Sequence, residues 1–123
     1  MIALFSLLRQ LVSLMIAVIS LLGLNKNTVT VELYTNPASG YSWEYSYDDT
    51  GILTLSKSYY IPDSSAILSG GGGTQNFNFS AITSGTVNIT FRYVNKDDGS
   101  VASEYIYTYI VDDTGNITLQ SIQ

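Results

Sequence analysis

Hydrophobic and polar residues alternate along most of the chain after Asn25. In residues 28–33, valine and leucine alternate with threonine and glutamate. An alternation with a period of two residues is typical of a strand that buries one face. The same pattern recurs in residues 41–47, 52–60, 74–80, 86–94, 101–111 and 117–122. The chain is therefore predicted to form seven strands and no helix.

The connections between these strands are of two kinds, and the two kinds alternate along the chain. One kind comprises the short turns 48–51, 81–85 and 112–116. The other comprises 35–40, 61–73 and 95–100. If successive strands run in opposite directions, every second connection lies at the same end of the domain. The connections 35–40, 61–73 and 95–100 are therefore expected to share one edge. The pattern predicts an all-β fold, an immunoglobulin-like antiparallel β-sandwich of seven or eight strands.

Residues 1–24 differ in kind from the rest of the chain. They contain one charged residue, Arg9, followed by the mostly apolar run 11–24. A basic residue before about 7–15 apolar residues is typical of a secretory signal peptide, whereas a membrane-spanning helix needs about 20. We expect residues 1–24 to be a signal peptide or a membrane anchor and residues 25–123 to be the folded domain. An alternative is that residues 19–24 form a first strand.

Both leading interpretations predict a secreted or exported domain, which is attached to a membrane only if the N-terminal segment is not cleaved.

The composition also excludes several chemistries, because the 123 residues include no Cys and no His. A thiol nucleophile, an imidazole base and a zinc site with nitrogen or sulfur ligands are therefore impossible. We expect neither enzymatic activity nor a cofactor, a metal or a small-molecule substrate.

The charge distribution argues against a nucleic-acid partner. The formal net charge is −5, and the five basic residues do not cluster; they are Arg9, Lys26, Lys57, Arg92 and Lys96. A surface that binds nucleic acid needs several basic groups to neutralise a row of phosphates. The sequence contains no such cluster of basic residues, so a nucleic-acid partner is not expected.

The first connection at the shared edge, residues 36–40, is expected to be stiff. Pro37 fixes its own φ angle and restricts Asn36 to an extended conformation, and Gly40 permits a positive φ angle. A stiff loop binds a partner with little loss of conformational entropy. This connection is therefore a candidate binding loop.

The second connection contains four consecutive glycines, at positions 70–73. Residues without side chains let one backbone approach another closely, as when a partner adds a strand. A flexible hairpin is the alternative interpretation. The third connection, 95–100, is a polar hairpin tip with a turn signal at Asp98 and Gly99.

The first two connections resemble the motifs of one family. The sequence NPASGYSW at 36–43 resembles an Asn-Pro-Thr-Thr-Gly-Tyr loop followed closely by Trp, and GGGGTQNFNF at 70–79 resembles a Gly-x-Gly-Gly-Thr loop that leads into alternating Phe. The chagasin-like inhibitors of papain-like cysteine peptidases carry both motifs in this order. The likeness extends over TVTVEL and SGTVNITFRY, from residue 28 to residue 93.

The resemblance implies a reversible, non-covalent inhibitor that acts as a monomer and blocks the peptidase cleft with three loops. It implies that the first loop covers the catalytic Cys and His of the peptidase, that the glycine loop makes main-chain hydrogen bonds in the substrate groove, and that the third loop contacts the opposite rim. The implied peptidase-binding residues are Asn36, Pro37, Ala38, Ser39 and Gly40, then Ser69, Gly70, Gly71, Gly72 and Gly73, and finally Arg92, Asn95, Lys96 and Asp97.

The sequence departs from the family pattern in two places. Residues 95–97 are Asn-Lys-Asp where the family has an Arg-Pro-Trp-type loop, so an aromatic anchor is missing. Ala38 replaces the first threonine of the first loop. Tyr41 and Trp43 are expected to be framework residues that hold this loop.

Two further interpretations come from other features of the sequence. The ten tyrosines are compatible with an adhesive or structural β-domain at the cell surface, in which Tyr105, Tyr107 and Tyr109 form an exposed face. The acidic pairs 48–49, 97–98 and 112–113 raise the question of calcium binding. Their spacing does not match a calcium loop, and such residues commonly form turns.

Overall fold

The computed structural model describes residues 27–63 and 71–123, which form two antiparallel sheets packed face to face. The strands are β1 (Thr28–Thr35), β2 (Tyr41–Tyr47), β3 (Leu53–Pro62), β4 (Gly73–Ala81), β5 (Gly85–Asn95), β6 (Val101–Val111) and β7 (Ile117–Ile122). One sheet has the strand order β1-β4-β3 and the other has the order β2-β5-β6-β7. The predicted all-β sandwich is confirmed.

The core lies between the two sheets and contains side chains from both. The ring centroids of Phe77 in β4 and Phe91 in β5 are 5.3 Å apart, and those of Phe79 and Phe91 are 6.2 Å apart. The other buried apolar residues are Val31, Leu33, Ile52, Leu53, Val87, Ile89, Tyr109, Val111 and Ile117. Most of them alternate with more exposed residues along their strands, which explains the period of two in the sequence.

The tyrosine face of β6 points towards the core. Tyr109 is only 2% exposed and Tyr107 is half-buried, whereas Ile110 on the opposite face is 37% exposed. The exposed tyrosine face of the adhesive-domain interpretation is therefore wrong for these two residues. The cause is the register with β5, in which Tyr109 pairs with Val87 and Tyr107 with Ile89, both of which are completely buried.

The six connections alternate between the two ends of the sandwich, because all strand pairs are antiparallel. We call the end that carries the connections β1–β2, β3–β4 and β5–β6 the loop end. The other three connections lie at the opposite end. The sequence pattern predicts this arrangement.

The acidic residues in the turns accept hydrogen bonds from nearby backbone. Asp112 Oδ1 accepts from the N–H groups of Thr114 and Asn116, each at 2.9 Å. The Thr114 hydroxyl and the Asn116 N–H group hold the pKa of the Asp112 carboxyl below its usual value. Within residues 27–63 and 71–123, no three His, Cys, Asp or Glu residues lie close enough together to hold a metal ion.

Some of the predictions fall on residues that the structure does not describe. The signal peptide or membrane anchor at 1–24, the alternative strand at 19–24, and the proposed binding residues Ser69 and Gly70 lie outside the described residues. In the part that is described, no helix is both long and apolar enough to cross a membrane.

Candidate functional site

Three connections meet at the loop end. The pairing of β1 with β4 places Thr35 opposite Gly73, so the first loop starts where the glycine segment ends. On its other side, the carbonyl of Gly40 accepts a hydrogen bond from the N–H of Lys96 at 3.0 Å. The first loop, residues 36–40, therefore lies between the glycine segment and the third loop.

The first loop folds into a 3-10 turn, Pro37–Ser39, that is held by its own hydrogen bonds. Asn36 caps this turn in an extended conformation, and its Oδ1 accepts a hydrogen bond from Ala38 N–H at 3.1 Å. The carbonyl of Asn36 accepts from the N–H and the hydroxyl of Ser39 at 3.0 and 2.6 Å. Gly40 ends the turn with a φ angle of +83°, which glycine adopts without strain. Ala38 is exposed at the tip of a stiff loop.

Tyr93 of β5 supports this loop from below. Its hydroxyl accepts a hydrogen bond from the N–H of Asn36 at 3.1 Å and lies 3.4 Å from the hydroxyls of Thr35 and Ser39. Burial acts to raise the pKa of Tyr93, but these hydrogen bonds together outweigh it and lower the pKa below its ordinary value. The ring of Tyr93 also stacks on Tyr41, with centroids 5.3 Å apart.

Trp43 ties the start of β2 to the end of β1. Its indole N–H donates a hydrogen bond to the carbonyl of Tyr34 at 2.8 Å. Its ring lies between Tyr93 and Tyr105, with centroid distances of 4.8 and 5.8 Å. Trp43 and Tyr41 are both half-buried, so the aromatic cluster fixes the strand ends from which the first loop projects.

The glycine segment is confined on both sides by the chain itself. A Cβ atom on Gly72 would collide with the carbonyl of Thr35 and would lie 2.5 Å from the hydroxyl oxygen of Tyr34. A Cβ atom on Gly73 would collide with the carbonyl of Ile61, on the other side. For these two glycines, the backbone that approaches closely is therefore that of β1 and β3, and not that of a partner as the sequence had led us to expect.

The third loop is a hairpin organised by Asn95. The side-chain oxygen of Asn95 accepts a hydrogen bond from Asp97 N–H at 2.8 Å. The main-chain carbonyl of Asn95 accepts one from Gly99 N–H at 2.9 Å. Lys96 and Asp97 are exposed. Because Lys96 also donates its N–H to Gly40, the backbones of the third and first loops are joined.

The structure brings most of the predicted binding residues together but leaves one apart. Residues 36–40, 71–73 and 95–97 all lie at the loop end. Arg92 instead lies on the outer face of β5, where its Nε donates to Glu104 Oε2 at 3.3 Å. Both side chains of this pair are almost half exposed, and such surface pairs contribute little to stability.

The sequence profile described as Chagasin family peptidase inhibitor I42 matches residues 25–111, which include all three loops. This chain belongs to the chagasin family. Because chagasin-family proteins are peptidase inhibitors, the prediction that the chain is an inhibitor and not an enzyme is confirmed. No curated protein sequence matches the chain.

Two solved structures are similar to this chagasin-family chain. The crystal structure of the cysteine protease inhibitor EhICP2 from Entamoeba histolytica has a TM-score of 0.60 and 22% sequence identity, over 69% of this chain and 78% of that one. The solution structure of Amebosin has a TM-score of 0.49 and 23% identity, over 68% of this chain and 77% of that one. The first of them supports the same β-sandwich fold for this chain.

Proposed function

We propose that this chagasin-family protein is a reversible, non-covalent inhibitor of papain-like cysteine peptidases. It acts as a monomer and blocks the active-site cleft with the three loops at its loop end. The observation that supports this proposal best is the position of the first loop, which lies beside Gly73 and is bonded through Gly40 to Lys96. A stiff central turn with a segment on either side has the shape of a wedge that fits a cleft.

The first loop forms the centre of the wedge. Ala38 is exposed at its tip and enters the cleft, where the loop covers the catalytic Cys and His of the peptidase. The hydrogen bonds of Asn36 to Ala38, Ser39 and Tyr93 hold the loop in shape before binding, so little conformational entropy is lost. The inhibitor acts by excluding substrate, because Cys and His are both absent and cannot provide a reactive group.

The two flanking segments contact the walls of the cleft. The glycine loop presents main chain to the substrate groove in the manner of an added strand. Of its described residues Gly71 is the one that is partly exposed, because Gly72 and Gly73 are buried against β1 and β3. Asn95, Lys96 and Asp97 contact the opposite rim with polar side chains, whereas Arg92 lies apart on the outer face of β5. Two backbone-rich segments and one polar hairpin fit a groove built to bind a peptide main chain.

The N-terminal sequence supports a site of action outside the cytosol. We infer that the domain acts after export, with residues 1–24 either removed or retained as an anchor, because that segment carries one charge before an apolar run. Mass spectrometry of the cell fraction and the culture medium tests this inference. A chain that begins at Met1 in the cytosol would contradict it.

The functional proposal is tested by titrating papain with the purified full chain. We expect reversible inhibition with one inhibitor per enzyme. The variant Ala38→Trp puts a bulky side chain at the tip of the first loop and should weaken inhibition about tenfold or more. Thr83→Trp is the matched control, because Thr83 is exposed in a turn at the opposite end and should leave inhibition unchanged.

The two parts of the proposal fail in different ways. If the wild-type chain inhibits neither papain nor any other papain-like peptidase, the target class is wrong. If the wild-type chain inhibits but Ala38→Trp inhibits as strongly as Thr83→Trp, the first loop does not enter the cleft.

A further inference from the structure

The three segments of the wedge present few large apolar groups. Residues 36–40, 71–73 and 95–97 include no aromatic residue and no large aliphatic one. Protein interfaces usually depend on a few aromatic or other large side chains near their centre. An exposed ring beside the wedge would fill this role, and the structure has one.

That ring belongs to Tyr34, the residue before Thr35 at the end of β1. Tyr34 is 65% exposed, the largest value among the exposed large hydrophobic side chains in residues 27–63 and 71–123. It pairs with Thr74 of β4, and Thr74 pairs on its other side with Ile61 of β3, which is 52% exposed. Residues directly opposite one another in a sheet point to the same face. Tyr34, Thr74 and Ile61 therefore form a row across the outer face of the three-stranded sheet.

The row is continuous with the glycine segment. The hydroxyl oxygen and Cζ of Tyr34 would lie 2.5 and 2.7 Å from a Cβ atom on Gly72, so the ring lies directly against this glycine. The backbone of Tyr34 is fixed as well, because its carbonyl accepts the indole N–H of Trp43 at 2.8 Å. The backbone beneath the ring is therefore ordered before binding, and only the side-chain torsions lose freedom when a partner covers the ring.

We propose that Tyr34, together with Ile61, is an apolar anchor that packs against the rim of the peptidase cleft next to the glycine segment. This inference rests on the proposed function and extends the binding surface from the loops onto the outer face of the sheet. A buried tyrosine ring contributes about 150–250 Å² of contact area. The occupant is the peptidase, because Tyr34 lies at the end of β1, two residues before the first loop that enters the cleft, and its ring touches Gly72 beside that loop.

The test measures inhibition of papain by the full chain and by three variants. Tyr34→Ala should weaken inhibition about tenfold, mainly through faster dissociation, and Tyr34→Phe should inhibit as strongly as the wild type because it keeps the ring. Ile82→Ala is the matched control, since Ile82 is 56% exposed in a turn at the opposite end. It should change inhibition less than twofold. Thermal unfolding of each variant shows whether the loss follows from reduced stability.

A second measurement uses the wild-type chain and does not depend on the folding of a variant. Oxidative footprinting followed by mass spectrometry should show that papain protects Tyr34 and Ile61 but not Ile82. Full inhibition by Tyr34→Ala, or unchanged labelling of Tyr34 in the complex, would overturn the inference while leaving the proposed function intact. A homodimer in sedimentation analysis that Tyr34→Ala dissociates would also overturn it, because the occupant would then be a second copy. A wild-type chain without inhibitory activity would reject both proposals.

Discussion

The hydroxyl group of Tyr93 accepts a hydrogen bond from the backbone N–H of Asn36 at 3.1 Å. The two residues are 57 positions apart in the sequence, so this bond joins the first loop to the strand β5 beneath it. The same hydroxyl lies 3.4 Å from the hydroxyls of Thr35 and Ser39. One phenol oxygen therefore fixes both ends of the turn that we place in the peptidase cleft.

Replacing Tyr93 with Phe should loosen the first loop and leave the sandwich folded. The ring keeps its stacking on Tyr41 and Trp43, but the N–H of Asn36 loses its acceptor. A lost hydrogen bond of this kind costs about 1 kcal/mol, which corresponds to inhibition that is about fivefold weaker. Titration of papain measures the effect. An unchanged inhibition constant would show that the loop keeps its shape without Tyr93.

Gly73→Ala should destabilise the fold itself. The new Cβ atom would collide with the carbonyl of Ile61 and would lie 2.7 Å from Pro62 Cα, both of which are backbone atoms that cannot turn aside. Overpacking of this kind typically costs about 1–3 kcal/mol of unfolding free energy. Urea denaturation followed by circular dichroism measures the loss. Gly51→Ala is the control, because its Cβ atom would meet only a carboxylate oxygen of Asp49, at 3.3 Å.

Trp43→Phe should separate the hydrogen bond of this residue from its stacking. Phenylalanine retains an aromatic ring between Tyr93 and Tyr105 but cannot donate to the carbonyl of Tyr34. We expect a loss of about 1 kcal/mol in unfolding free energy. Because Trp43 is the only tryptophan in the chain, circular dichroism must replace tryptophan fluorescence in this experiment. Stability equal to that of the wild type would mean that the indole N–H makes no net contribution.

The protein should lose stability in alkali above about pH 10, where tyrosine normally ionises. Burial raises the pKa values of Tyr109 and Tyr107 in the folded state. The folded state therefore binds these protons more tightly than the unfolded state, so this contribution is present below pH 10 and is lost as the pH rises towards the folded-state values. Tyr109→Phe should reduce the loss of unfolding free energy between pH 9 and pH 11. An identical pH profile for the variant would contradict this account.

The extent of the strands follows well from local alternation. The predicted segments 41–47, 101–111 and 117–122 coincide with β2, β6 and β7. The strand predicted at 52–60 extends to Pro62, because β3 is an edge strand and a proline there need not donate a hydrogen bond to a neighbour.

The sequence is less informative about the two faces of a strand. Along β6, Tyr109 and Ile110 are both large and apolar, so alternation does not reveal which of them points inwards. The register with β5 decides this, by placing Tyr109 opposite the buried Val87. Register depends on pairing across the whole sheet, which a local pattern does not contain.

The candidate site also combines features that the local sequence predicts with features that it does not. The turn of the first loop was predictable, because Asn36, Pro37 and Gly40 determine it locally. The support from Tyr93 and the contact of Tyr34 with Gly72 were not, since each joins residues that are distant in the sequence. Local sequence therefore defines the loops, and long-range pairing defines how they are held.

The first and third loops are connected through main-chain atoms alone, the carbonyl of Gly40 and the N–H of Lys96. Exchange of the exposed side chains on either loop leaves this connection in place. The loop end is consequently a suitable starting point for redirecting the protein to other peptidases, with variation concentrated at Ala38, Lys96 and Asp97 while Gly72 and Gly73 are kept.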